Sequence, residues 1–352
     1  MGKLSLGILF GGKSSEYEVS LSSAYALLSN VDREKYDVLT IGITKDGKWY
    51  LFEGDIEKIR DGSWYCSDVS EVFFAPTYGK KVMGVLREGG KIEKLTLDVV
   101  FPVLHGRFGE DGRVQGLLSV AGIPAVGCGC TAAAVCMDKA LTKTVVGAAN
   151  IVRQAKAVVA LSGDDTEALR RRAEHEIGYP MFVKPASSGS SVGCSKVKDG
   201  SAFDKAVNSA FAEDEKILIE ECITGREIEV AVLEEGGRLT VSVPAEIDVG
   251  SSEFYDYETK YVSDESSFYI PARIDEEAQK NASATAAKIF TALGCRGLSR
   301  VDFFYTAEGE LIFNEINTLP GFTPISMYPK LMGHAGIGYS ELIDRLIASA
   351  LK

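Results

Sequence analysis

Residues 4–10 form a largely apolar run that stops at Gly11-Gly12. A run this short, bounded by glycine, predicts the buried end of a strand. Ser15 followed three positions later by Glu18 has the form of a capping box, so strand, glycine loop and helix are expected in that order. Over residues 36–100, short β-rich runs (VLTIGIT, KWYLFE, VFFAP, KVMGVLRE) alternate with polar turns and end in the buried-strand pattern LDVVFPVL. That pattern predicts an α/β sheet carrying an inserted β-rich excursion. Thr131 is placed to cap one helix reaching about residue 150, and a second helix is expected over 163–178.

The texture changes at Pro180. MFVKPA, CSKVK, ILIEECI, EIEVAVLEE and RLTVSVPAEI alternate with Gly, Ser and Asp turns, which predicts an antiparallel α+β arrangement. Residues 250–267 are polar and read as a long exposed loop. A helix over 276–293, a hairpin and a terminal helix over 339–351 close the chain. Single cores stop growing at about 250 to 300 residues, so 352 residues predict more than one domain. Two or three domains are the natural expectation at this length.

Composition narrows the function classes. The chain is 45% hydrophobic and 25% charged, which suits packed cores and excludes a disordered chain. With 50 acidic against 38 basic residues the formal charge is -12, which argues against general affinity for nucleic acid or anionic lipid. Seven scattered cysteines predict reduced thiols of a cytoplasmic protein, and Cys128 and Cys130 lack the second ligand cluster that zinc needs. No apolar stretch reaches the ~18 residues of a membrane span.

Two glycine patterns compete for a nucleotide. Gly7 to Ser14 satisfies the phosphate-loop expression with Lys13 as its lysine, but Ile8, Leu9 and Phe10 look like strand rather than exposed loop. Gly127-x-Gly129-x-x-Ala132 lacks the βαβ context of a dinucleotide site. The hairpin gives a sharper signal. A turn at Glu308-Gly309 would set Asp302 directly opposite Glu315, with Asn317 on the same face. Opposed carboxylates are unfavourable in a sheet unless something cationic lies between them, and an all-oxygen set suits Mg²⁺ shared with phosphates; the alternative is a solvated polar face. Lys184 beside the Ser187–Gly193 run could clamp phosphate or end an ordinary turn. Glu220, Glu221 and Glu227 flank a strand junction that could hold a base and ribose or be plain surface charge, and Glu16 suits a helix first turn in any case.

In chain order, GGKSSEYEVSL, LHGRFGEDGRVQG, MDKALTK, VKPASSGSSVG, IEECITGREIEVAV, FYDYETKYVSD, GLSRVDFF and NEINTLPGFTPISMYP resemble the D-alanine:D-alanine ligases of the ATP-grasp group. The resemblance implies three α/β or α+β domains, an amino-terminal parallel-sheet domain over 1–126 followed by the central (127–225) and carboxy-terminal (226–352) parts of an ATP-grasp fold. It implies ATP between the central and carboxy-terminal domains, cytoplasmic location, a homodimer and a part in peptidoglycan precursor synthesis. One D-alanine carboxylate would take the γ-phosphoryl group of ATP, and the amine of a second would attack the acyl phosphate. By this resemblance Asp302, Glu315 and Asn317 hold Mg²⁺ (two ions, replaceable by Mn²⁺), and Lys139 and Lys184 bind phosphates. Glu220, Ile223 through its backbone and Glu227 hold adenosine, and Lys260 meets the transferred phosphoryl group. Arg300 and the Gly321 N–H form an oxyanion site. Glu16, linked through Ser190 to Tyr261, receives the first ammonium, His105 lies nearby, and Ser326 receives the second carboxylate. Ligation to D-lactate or D-serine is the near alternative. A phosphate-loop NTPase using Lys13 and a nucleotide-binding regulator without turnover are those of other classes.

Overall fold

The computed structural model describes residues 2–248 and 267–352. Lys260 and Tyr261, and the loop expected to carry them, fall outside the described residues. The amino-terminal sheet has seven strands in the order Ile92–Thr96, Val82–Leu86, Val69–Phe74, Trp49–Phe52, Tyr36–Ile43, Leu4–Gly11 and Val99–Pro102. The strand Leu4–Gly11 runs parallel to both of its neighbours, and the other pairings are antiparallel, so the excursion extends the sheet as a meander. Leu6, Ile8 and Phe10 pack toward the helix Tyr17–Asn30, while Leu9 packs with residues of the helix Arg113–Ala121 on the other face. Burial on both faces is why this strand reads as a largely apolar run. It also leaves Gly7 to Phe10 no freedom to wrap a phosphate.

The central sheet has four strands in the antiparallel order Ser195–Val197, Met181–Pro185, Lys216–Glu221 and Ala157–Leu161. Met181, Val183, Ile217 and Ile219 pack against the helices Thr166–Glu176 and Phe203–Glu213. Period-two alternation therefore sends Phe182, Lys184 and Glu220 to the opposite face. The carboxy-terminal sheet runs Ser267–Tyr269, Ala245–Asp248, Arg226–Glu235, Leu298–Tyr305, Leu311–Asn317 and Arg153–Gln154, with Arg238–Val241 paired beside Arg226–Glu235. One face packs on the helix Glu276–Ala292 through Ile228, Val230, Val301 and Phe303; the other carries Glu229, Arg300, Asp302, Glu315 and Asn317.

Four local expectations differ from the structure. The helix expected from Thr131 to about residue 150 is two helices, Cys130–Met137 and Lys139–Ala148, because the Asp138 carboxylate accepts from the Ala140 and Leu141 N–H groups at 3.0 Å each and caps a new start. Ser15 and Glu18 form no capping box: the helix begins at Tyr17 with Glu16 at its cap position and no side-chain cap bond. The strands Arg153–Gln154 and Ala157–Leu161 are short and bracketed by polar residues, and periodicity did not single them out. Finally, the hairpin connection spans residues 306–310 rather than a two-residue turn, and a bulge between Asp302 and Phe303 restores the register so that Asp302 still faces Glu315. By packing, Cys128, Ala132, Ala133, Cys136 and Val146 share the core of the carboxy-terminal sheet, although their segment precedes the central strands in sequence.

Candidate active site

The polar faces of the central and carboxy-terminal sheets confront each other across a cleft of about 760 Å³, closed at one end by loops of the amino-terminal unit. Each described residue of the expected set lines it, and Lys13, exposed beside the Phe108 ring, does not.

At the central-sheet end Glu220 lies buried between two lysines, with Lys184 Nζ 2.5 Å from one carboxylate oxygen and Lys143 Nζ 3.1 Å from the other. Burial opposes the charge on Glu220 and on Lys184, but their mutual attraction outweighs it, holding the Glu220 carboxyl below and Lys184 above their usual ranges. Lys143, at the edge of this group, is pushed down by burial. Ile223 and Glu227 line the same end. Lys139, turned inward by the helix break at Asp138, donates to the Ser188 carbonyl at 2.8 Å and lies 3.5 Å from Glu315, so it ties the serine–glycine loop to the carboxy-terminal sheet.

On that sheet three carboxylates stand in one row, because Glu229 pairs with Asp302 and Asp302 with Glu315. Arg300, two residues before Asp302 and hence on the same face, donates to both Asp302 oxygens at 2.8 and 2.7 Å and lies 3.1 Å from Glu229. Burial disfavours the guanidinium charge, yet these carboxylates hold its pKa well above the usual value. The Asn317 Nδ2 donates to Asp302 at 2.9 Å, and the amide oxygen is a separate acceptor. Among the described residues no three His, Cys, Asp or Glu side chains are grouped to hold a metal ion. A cation here would need the Asn317 amide and oxygens of its own ligand, which suits a hard, partly substrate-held ion such as Mg²⁺.

At the amino-terminal end Ser190 donates to Glu16 Oε1 at 2.5 Å. The Glu16 carboxylate is pinched between two glycine backbones: a Cβ at Gly106 or at Gly189 would lie 2.3 or 2.2 Å from Oε2. Only glycine permits that approach. His105 is buried, with Nδ1 2.8 Å from the Leu319 carbonyl and Nε2 3.0 Å from Ser23 Oγ. A carbonyl only accepts, so Nδ1 carries the proton. Ser23 Oγ also accepts from the Phe322 N–H at 3.3 Å, and the segment holding Gly321 is thereby fastened to the amino-terminal unit. Glu110 lies 3.9 Å from His105 Nδ1, too far for a hydrogen bond but close enough for charge. Burial pushes the Glu110 carboxyl up to about 7. Burial lowers the tendency of His105 to protonate, and the neighbouring carboxylates Glu110 and Glu16 more than offset it. Beyond Gly321, the Ser326 hydroxyl packs against the Thr323 hydroxyl at 2.8 Å.

Four participants escaped sequence reading: Lys143, Glu229, Glu110 and Ser23. Glu229 had a usable signal, since it alternates with Glu227 on one strand. Lys143 follows Lys139 at helical spacing, which would have placed both on one face. Glu110 sits in an irregular loop and Ser23 in the middle of a helix, and neither position carries a local mark of its partners.

The comparisons agree with this geometry. The family model described as "D-ala D-ala ligase N-terminus" matches residues 5–128, and "D-ala D-ala ligase C-terminus" matches residues 150–348. A D-alanine--D-alanine ligase of Caldicellulosiruptor bescii is 47% identical, covering 100% of this chain and 96% of its own. One from Chlorobium luteolum is 46% identical, covering 100% and 98%. Among solved structures, the VanG D-Ala:D-Ser ligase of Enterococcus faecalis superposes with a TM-score of 0.89 at 41% identity over 99% of each chain. The D-alanine-D-alanine ligase of Coxiella burnetii gives 0.86 at 34% identity, covering 100% of this chain and 94% of its own. From the two half-chain matches, the full-length relatives and the shared fold, the chain belongs to the D-alanine–D-alanine ligase family.

Proposed function

We propose that the cleft uses ATP to join two D-alanines into D-alanyl-D-alanine through an acyl phosphate, supplying peptidoglycan precursor synthesis. The observation that supports this most is the convergence of lysines, a carboxylate row and an anchored glycine segment, contributed by three sheets, on one cavity. Glu220, Ile223 and Glu227 would take the adenosine, and Lys139 and Lys184 the phosphates. Arg300 and the Gly321 N–H would stabilise the oxyanion that develops at the attacked carbonyl. Glu16, set by Ser190, would hold the first ammonium, with His105 beside it, and Ser326 the second carboxylate. Lys260 and Tyr261 belong to the same proposal as the phosphoryl-contacting lysine and a water-excluding tyrosine.

Asp302, Glu315 and Asn317 fit Mg²⁺, in one or two ions replaceable by Mn²⁺, since they are hard oxygen donors crowded on one face. A bound divalent cation would neutralise phosphate charge. The rest of the chemistry falls to positioning by the chain's own groups: Lys139 bridges the serine–glycine loop to Glu315, and the Ser23–His105 latch holds the Gly321 segment against the amino-terminal loops. The homodimer and cytoplasmic location implied by family resemblance complete the reading, and sedimentation equilibrium tests the former.

The likeness to a D-Ala:D-Ser ligase favours a second reading, in which D-serine is the acceptor. Coupled ADP release with D-alanine alone and with D-serine or D-lactate added, with products identified by mass, separates the two. D-Alanine-dependent ADP release yielding the homodipeptide is the expected result, and ADP release indifferent to D-alanine would defeat both. In the same assay Lys184→Ala should raise the KM for ATP by about 100-fold through loss of a charge-assisted phosphate contact.

A further inference from the structure

Ser326 stands at the cap position of the helix Met327–His334, yet its side chain makes no capping bond. It is instead turned back toward its own loop. The Thr323 N–H donates to Ser326 Oγ at 3.1 Å, and the Thr323 hydroxyl lies 2.8 Å from the same oxygen. The approach is tight on a third side as well, because a Cβ at Gly321 would sit 2.9 Å from Ser326 Oγ. Thr323 and Ser326 both line the cleft.

A serine hydroxyl has one proton and two lone pairs. The backbone N–H of Thr323 engages one lone pair. If the Thr323 hydroxyl donates to the second, Ser326 has nothing left to accept with and can only donate. The opposite polarity would spend the Ser326 proton on Thr323 and leave the cleft without a donor at this point. An anion in front of Ser326 selects the first arrangement, since it draws the Ser326 proton outward, and each donor strengthens the next along such a chain. We propose that Thr323 is a positioning residue that makes Ser326 an obligate hydrogen-bond donor, so that the acceptor subsite selects an amino acid bearing a free carboxylate. The proposal rests on the reading of Ser326 as the group that receives the second carboxylate.

The test compares Thr323→Val, which keeps the shape and removes the hydroxyl, with Thr323→Ser, which keeps the hydroxyl, and with Ser326→Ala. Steady-state kinetics would report the KM for the acceptor D-alanine, the KM for ATP and kcat, and a competition would give the ratio of kcat/KM for D-alanine over D-alaninamide as acceptor. Thr323→Val should raise the acceptor KM about tenfold, the effect of one hydrogen bond in a charge-assisted chain, and lower the D-alanine preference. The ATP KM and kcat at saturation should stay within about twofold of wild type, and Thr323→Ser should restore both acceptor quantities. An unchanged acceptor KM and preference in Thr323→Val, alongside a raised KM in Ser326→Ala, overturns the role of Thr323 and leaves the subsite reading standing. An equal defect in Thr323→Ser also overturns it, since packing rather than the hydroxyl would be responsible. An unchanged acceptor KM in Ser326→Ala removes the subsite reading itself. Should Thr323→Val fold poorly by circular dichroism, Thr323→Ala supplies the same hydroxyl deletion without a branched replacement.

Discussion

Glu220 and Glu110 are both buried glutamates in one cleft, and their surroundings drive them in opposite directions. Glu220 has an ammonium on each oxygen and ionises more readily than a free carboxylate. Glu110 has a histidine at 3.9 Å and a second carboxylate, Glu16, in range, and its carboxyl rises to about 7. Desolvation is the first-ranked influence on both and pushes both upward, so the difference comes from the cations. The central-sheet end thus carries a fixed array of paired charges. The amino-terminal end holds a carboxyl that is only about half ionised near pH 7. The carboxylate row of Glu229, Asp302 and Glu315 lies between, with Arg300 and Lys139 as its cations.

The largest expected effect lies in that row. Glu315→Gln should lower turnover by about 1,000-fold while circular dichroism is unchanged, because it removes a charge that would hold a cation against phosphate; such losses are the usual scale for transition-state charge stabilisation. Asp302→Asn should do the same to activity but also loosen Arg300. Turnover at the wild-type rate in Glu315→Gln at ordinary Mg²⁺ concentration would remove the row from the phosphate end.

Glu220→Gln should follow, destabilising the fold by about 3 to 5 kcal/mol in urea melts at neutral pH, since it leaves two buried lysines facing a neutral group. Its sign with pH is fixed by the depressed carboxyl. The stabilisation is present above the unfolded value of 4.5 and is lost as pH falls through the lower folded value, so wild type and variant should converge in acid. Curves that stay parallel down through the acid range would contradict the pairing.

Glu110→Gln should show the opposite slope. A carboxyl at about 7 in the folded state and 4.5 unfolded stabilises fully below pH 4.5 and loses that contribution as pH rises through 7, by at most about 3 kcal/mol. Thermal melts of the two proteins from pH 5 to 8 should therefore diverge in favour of the variant. A pH-independent difference would mean that Glu110 is ionised throughout. The smallest effect is expected at Lys13→Ala, within about twofold in the KM for ATP, because the side chain is exposed and outside the cleft. A defect there as large as in Lys184→Ala would reopen the phosphate-loop alternative.

The sequence by itself determined what depends on neighbours close along the chain. The apolar run over residues 4–10 marked a strand and counted against the letter-perfect phosphate-loop pattern, and packing on both faces of that strand strengthened the case. The hairpin put Asp302 opposite Glu315 although its turn was misjudged, because the bulge beside Asp302 offset the longer connection. Motif order also identified the family, since each of those segments carries its own spacing. Tertiary structure alone decided which distant groups meet. Glu220 became a paired charge through Lys143 and Lys184 on a helix and a neighbouring strand, and the Glu110 carboxyl was pushed up by a loop that buries it beside His105. Ser23 meets Phe322, 299 positions away, only because the helix Tyr17–Asn30 is packed under the segment that carries Gly321. Periodicity and turn chemistry act over a few residues, whereas desolvation and Coulomb attraction depend on everything within several ångströms in space, and the folded chain alone sets those distances.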